Sequence, residues 1–198
     1  MNKTIIFVIS VFFIAGCSIK EVSKPVVKYD INTPIKISSK TKSNKILKVS
    51  RFKTPIYLFG NKIWYQRDSF KTNSYLYSSW NQDFSSMIEQ KVANTLYKSS
   101  LFKSVFSKYS KAKADIILEG EIISALQYVK KESAYVVFEI RLYLIDSKRS
   151  KIIGSKDFSY KKRCDTVDAP GAVKAYNRII KTFSKEVVLW LKKLVKED

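Results

Sequence analysis

The sequence predicts an α+β fold, a layered α/β sandwich. Its mixed, largely antiparallel sheet contains an antiparallel meander and is packed by a middle helix and a C-terminal helix. Three observations predict this. From Asp115 to Tyr160, apolar residues alternate with polar ones through three stretches joined by short turns. Trp80, Phe84, Met87, Ile88, Val92 and Leu96 recur at helical spacing. So do Ala172, Tyr176, Ile179, Phe183, Val187, Trp190 and Leu194.

The chain begins with Lys3 ahead of an apolar run from Ile5 to Ala15, followed by Ile14-Ala15-Gly16-Cys17. A basic n-region, a short apolar h-region and small residues before a cut describe a secretory signal peptide. The run is too short to span a bilayer, which takes about 20 apolar residues. An aliphatic and two small residues before cysteine form a bacterial lipobox. Residues 1–16 are therefore read as a leader, cut after Gly16, with diacylglycerol on the Cys17 thiol and acylation of the new amine. One acyl chain holds marginally and two or more hold stably, so Cys17 is the expected anchor. Ser18, where aspartate would favour the inner membrane, directs the expectation to the outer membrane, facing the periplasm.

Residues 17–45 are polar and lack a sustained period of 2 or 3.6, as in a flexible tether. Within them only Tyr29-Asp30-Ile31 is expected to dock. The domain proper, 46–198, opens with a strand over Ile46 to Phe52 that places Leu47 and Val49 on one face. Pro55 breaks that pattern, and Ile56-Tyr57-Leu58 leads to the turn pair Gly60-Asn61. Ile63 to Arg67 and Ser74 to Tyr77 read as short strands. Ser79 is the expected N-cap of the middle helix, with Asp83 in its first turn. Leu101-Phe102 and Val105-Phe106 form a connection and a short strand.

In the meander, Ile116, Leu118, Gly120, Ile122 and Leu126 are expected on one face and Glu119 and Glu121 on the other. Ala134, Val136, Phe138, Ile140, Leu142 and Leu144 then alternate without interruption against Glu139, Arg141 and Tyr143. Ile152 to Tyr160 completes three antiparallel strands with one buried face. Pro170 suits the first turn of the last helix, whose single apolar stripe should dock on the sheet.

Composition narrows the function. With 45% apolar and 14% aromatic residues the mature chain should fold. The absence of histidine removes the commonest general base and metal ligand, and with them a Ser-His-Asp triad and the usual zinc sites. Five glycines leave little room for a phosphate loop. Glu119 and Glu121 fit a solvated strand face better than an acid–base pair. No enzyme and no cofactor is expected. The second cysteine, Cys164, lies beside Lys161, Lys162 and Arg163. It reads either as a thiol of lowered pKa or as an incidental surface thiol, and with Cys17 acylated it has no disulfide partner. The formal charge of +20 suggests an anionic partner such as phospholipid, lipopolysaccharide or an acidic protein, without nucleic acid. An AT-rich coding bias would produce the same lysine excess.

The ordered motifs carry a resemblance. After the lipobox come Tyr29-Asp30-Ile31, Ile56-Tyr57-Leu58, Ile63-Trp64-Tyr65-Gln66-Arg67, Trp80 and Phe102-Lys103-Ser104-Val105. Ala114-Asp115, Leu118, Phe158 and Val188-Leu189-Trp190-Leu191 follow. Over nearly all the mature chain this resembles the ABC-type transport auxiliary lipoprotein component family, the paraquat-inducible-type lipoproteins of mammalian-cell-entry lipid transport systems. The resemblance implies a non-enzymatic envelope component working with an ABC ATPase, a permease and a periplasmic mammalian-cell-entry protein that carries phospholipid. A homo-oligomer is compatible with it. Trp64, Tyr65, Arg67 and Trp80 match the family pattern, with structural or docking roles implied: strand packing, backbone satisfaction by Arg67, and a helix-start anchor at Trp80. A direct binder of phospholipid or lipopolysaccharide, with an apolar pocket between helix and sheet ringed by lysines, is the alternative.

Overall fold

Alternation of apolar residues in the middle of the chain builds the frame that everything else packs on. The computed structural model describes residues 24–67, 70–107 and 110–195. The leader and Cys17 lie outside the described residues. In chain order the elements are β1 (Val27–Tyr29), β2 (Ser43–Val49), a 3-10 turn (Ile56–Leu58), β3 (Lys62–Arg67) and β4 (Lys71–Trp80). Helix α1 (Phe84–Ser99) and strand β5 (Phe102–Ser107) come next. The meander β6 (Ile116–Lys130), β7 (Ser133–Asp146) and β8 (Lys151–Arg163) leads to α2 (Ala169–Leu194). The fold is α+β, with one mixed eight-stranded sheet.

Strand β6 organises that sheet. One of its edges pairs with β7 along its whole length. The other edge is shared end to end. Leu47 to Val49 of β2 run parallel to Ile116 to Leu118, and Tyr65 to Arg67 of β3 run parallel to Gln127 to Val129. Between them the chain stays attached, with Lys53 N–H donating to the Gly120 carbonyl at 2.8 Å and Ile122 N–H to the Lys53 carbonyl at 2.9 Å. Strand β5 lies outside β2, and β4 and β1 lie outside β3.

A bulge interrupts β6: Ile122 faces Ile140, whereas Ser124 already faces Glu139. The extra residue, Ile123, reverses the side-chain parity. Before it Ile116, Leu118 and Ile122 enter the core; after it Ala125 and Val129 do. Leu126, expected on the core face, is buried but outside the main core cluster. A period of 2 cannot be carried across a bulge.

Both helices cover the inner face. Phe84 of α1 meets Phe138 of β7 at 6.2 Å between ring centroids, and Phe183 of α2 meets Phe138 and Phe158 at 5.6 and 5.2 Å, all edge-on. Edge-on aromatic pairs add about 0.5–1.5 kcal/mol each beyond area burial.

Three expectations are corrected. Strand β4 runs to Trp80, so Ser79 caps nothing and Trp80 ends a strand instead of opening a helix. The N-cap is Asp83, whose carboxylate accepts from Ser86 N–H at 2.9 Å, from the Ser85 hydroxyl at 2.6 Å and from Gly60 N–H at 3.0 Å. Although burial opposes ionisation, these bonds hold the Asp83 carboxyl below the usual carboxylate range. Gly60, at φ +96°, turns the chain so that its amide points at this cap.

Part of the expected tether is also fastened to the domain. Residues Val27–Tyr29 pair in parallel with Ser78 to Trp80. Ser39 and Ser43 donate backbone N–H groups to Ser99 and Leu101 at 2.8 and 2.7 Å. Lys91 donates to the Thr33 carbonyl. Tyr29 and Ile31, in the one spot expected to dock, pack against the core, and so does Ile37. The other attachments are made by main-chain groups and polar tips, which leave no periodic trace in a sequence.

Gly120 sits under Phe52, whose ring atoms would lie 2.7–2.9 Å from an added Cβ. Gly120→Ala is expected to cost about 1–3 kcal/mol, read as a lower urea midpoint, and Phe52→Leu in the same chain should recover part of it. An unchanged midpoint would contradict the seam between β2, β6 and β3.

Candidate docking face

The outer face of the meander carries no helix among the described residues, and its two ends differ. At one end Arg141 and Asp157, directly opposite on β7 and β8, form a two-pronged ion pair at 2.6 and 2.8 Å. Glu119 and Glu121 face Tyr143 and Arg141 across β6 and β7. This is a solvated polar surface, with nothing bringing the two glutamates together for acid–base work.

The other end is aromatic. Tyr128 and Tyr135 are cross-strand partners with rings stacked at 5.2 Å and 14°, and Lys161 Nζ lies 4.0 Å from the Tyr135 ring centre. Gln66 pairs with Tyr128, so Trp64, two residues before it, projects from the same face. Trp64 meets Tyr57 edge-on at 6.3 Å, and Lys62 Nζ lies 5.5 Å from its ring. Tyr57 reaches across to Ser124, and burial pushes its phenol pKa up against that hydrogen bond. Beside Tyr57, Ile56 is 94% and Phe59 66% exposed. The strip thus runs from the 3-10 turn across β3 and β6 to β7, with lysines at its borders. The bulge places Ser124, Leu126 and Tyr128 on this face; without it they would point into the core.

The four residues of the family pattern are not gathered in one place. Trp64 lies in the outer strip. Tyr65, on the opposite face, packs against Tyr75 with ring centroids 4.7 Å apart and planes tilted by 41°. Trp80 is in the core between Phe84 and Tyr176, at 5.2 and 5.5 Å. Arg67 is exposed at the end of β3, and no side-chain hydrogen bond from it to a described backbone group accounts for it. Tyr57 stands in the Ile56-Tyr57-Leu58 motif without a role assigned to it, and Tyr128 and Tyr135 are absent from the motifs. The signal was present for one pair, because Tyr128 and Tyr135 are equidistant from the two-residue turn at 131–132.

On the inner side, a buried polar node joins the sheet to the start of α2. Gln127 is fully buried. Its Oε1 lies 2.7 Å from the Tyr75 hydroxyl, and its Nε2 donates to the Asp168 carbonyl at 3.3 Å. The Tyr75 hydroxyl also lies 3.1 Å from the Val167 carbonyl. Burial, with the Asp168 charge nearby, pushes Tyr75 up to about 12. Cys164 completes the node, its sulfur 3.7 Å from Gln127 Nε2. Cys164 is neither an activated nor a surface thiol. It is buried, and burial raises its pKa despite the Gln127 hydrogen bond. The neighbouring lysines point away because residues 161–163 are exposed on edge strand β8. Thiol reagents at pH 8 are therefore expected to modify Cys164 at the rate of unfolding, as read by peptide mapping. Labelling as fast as that of a small free thiol would contradict the node.

Among the described residues no group of potential metal ligands is clustered, and no helix is long and apolar enough to cross a membrane. No curated protein matches the sequence. The chain shares its fold with a crystal structure from Xanthomonas campestris, at 14% identity and TM-score 0.79, covering 87% of this chain and 98% of that one. A Chlamydia trachomatis hypothetical protein follows at 7% identity and TM-score 0.53, covering 79% and 100%. The model of one sequence family matches residues 29–188, from β1 to the last turns of α2. By that match the chain belongs to the family of ABC-type transport auxiliary lipoprotein components.

Proposed function

We propose that this chain is a non-enzymatic auxiliary subunit of a mammalian-cell-entry phospholipid transport system, held in the envelope by acylated Cys17 at the outer membrane. Its outer sheet face docks the periplasmic substrate-binding protein of that system, which works with the ABC permease and ATPase. The family supports association with an ABC transport system. The observation that carries the docking assignment is the strip of Tyr57, Trp64, Tyr128 and Tyr135, left uncovered by the helices. Tyrosine and tryptophan contribute most where protein surfaces meet, since each brings a large rigid apolar area and a polar tip. Lys62 and Lys161 at the borders suit a partner with acidic residues around an apolar centre.

Cys17→Ala should abolish palmitate incorporation; equal labelling of both chains would refute the anchor. In intact cells a photocrosslinker at position 135 should capture the mammalian-cell-entry protein, and one at Lys174, exposed on α2, should not. Tyr135→Ala should weaken co-purification roughly tenfold while lowering stability by no more than about 1 kcal/mol, the worth of one cross-strand pair. Undiminished recovery, or equal capture at both positions, would refute the docking face.

A further inference from the structure

The last turns of α2 and the edge strand β8 enclose a groove of about 480 Å³, lined by Lys156, Glu186, Leu189, Trp190, Lys192 and Lys193. Its floor is apolar. Trp190, 9% exposed, meets Phe158 edge-on at 6.1 Å, and Leu189 beside it is 53% exposed. Its rim is cationic. Lys185, Lys192 and Lys193 stand four before, three after and four after Leu189, the positions that surround it on a helix surface. Lys156 closes the frame from β8, its ammonium 4.6 Å from the Phe158 ring centre.

Among the described residues the charge at this rim is net positive. The groove's one carboxylate, Glu186, is held by the Tyr160 hydroxyl at 2.8 Å, and its single charge is outnumbered by the lysines around it. The nearest other described acid on β8, Asp157, is paired with Arg141. None of the four lysines forms an ion pair with a described residue.

We propose that this groove seats the headgroup of an anionic phospholipid in a bilayer. The lysines meet the phosphate, and Leu189 and Trp190 lie against the glycerol and first acyl carbons. Charge complementarity selects an anion, and the apolar floor among the lysines selects one attached to hydrocarbon. Tryptophan settles at headgroup depth, and lysine stems lie along apolar surface while their ammonium groups reach phosphate. This contact is separate from the docking face and does not require it.

The test reads Trp190 directly, because a lipid anchor would hold the chain to any bilayer. The full chain is placed in nanodiscs containing phosphatidylglycerol or phosphatidylcholine with brominated acyl chains, and tryptophan emission is followed. Brominated phosphatidylglycerol should quench preferentially, and Trp190→Phe should remove the quenched component while Trp64→Phe keeps it. Each lysine near an anionic surface strengthens attachment about fivefold. K156E/K192E/K193E should therefore weaken phosphatidylglycerol contact at least roughly a hundredfold and abolish the preference. Leu189→Asp, at an exposed position where folding is not at stake, should reduce quenching as well. Equal quenching by both lipids, persistence in the Trp190→Phe chain, or a preference that survives charge reversal would overturn the proposal.

Discussion

Strand β6 must satisfy a full partner on one edge and two successive partners on the other, and a single extra residue lets it do so. Ile123 is the point at which the ladder with β7 slips by one. It falls between the stretch that pairs with β2 and the stretch that pairs with β3. A bulge raises local twist and re-aims the side chains beyond it. Here that sends Gln127 inward to the base of α2 and Tyr128 outward to its stack with Tyr135. The polar node and the aromatic strip are two consequences of one backbone irregularity.

The two faces of the sheet thereby divide the work. The inner face is closed by an aromatic mosaic in which Phe138, Phe158 and Phe183 interlock with both helices, so the helices are held by shape as well as by area. The outer face keeps rings that no described helix covers. Excess lysine is spread over both surfaces, and at the last turns of α2 beside β8 it gathers around an apolar groove. An auxiliary subunit needs such a division: a rigid body with surfaces left free for other molecules.

Much of the fold was legible because long regular stretches repeat their signal. Ala134 to Leu144 alternate without a break, and the stripe from Ala172 to Leu194 is helical throughout, so both elements and their buried faces followed from spacing. What was hidden depends on single positions. Trp80 has the right spacing to begin α1, yet the strand continues through it, because Asp83 can bind three donors and Ser79 is committed to pairing with Lys62. The parity reversal at Ile123 is invisible because a second isoleucine, Ile122, stands directly before it. Val27 to Tyr29 form a three-residue strand whose hydrogen bonds are main chain only. Of the aromatic strip, Trp64 and Tyr57 each stood in a motif, whereas their contact with each other and the strip's continuation to Tyr128 and Tyr135 arise only through tertiary packing.

Thiol accessibility along β6 tests the central claim most directly, with cysteines placed one at a time at positions 116–129 and labelled in the folded chain. The account predicts protection at the even positions 116, 118 and 122, a change of phase at 123, and protection at the odd positions 125, 127 and 129 with labelling at 124 and 128. Gly120, which has no room for a Cβ, and Leu126, buried on the outer face, do not report the phase. Even-numbered protection continuing unbroken through 128 would contradict it, and with it the origin of both the polar node and the aromatic strip.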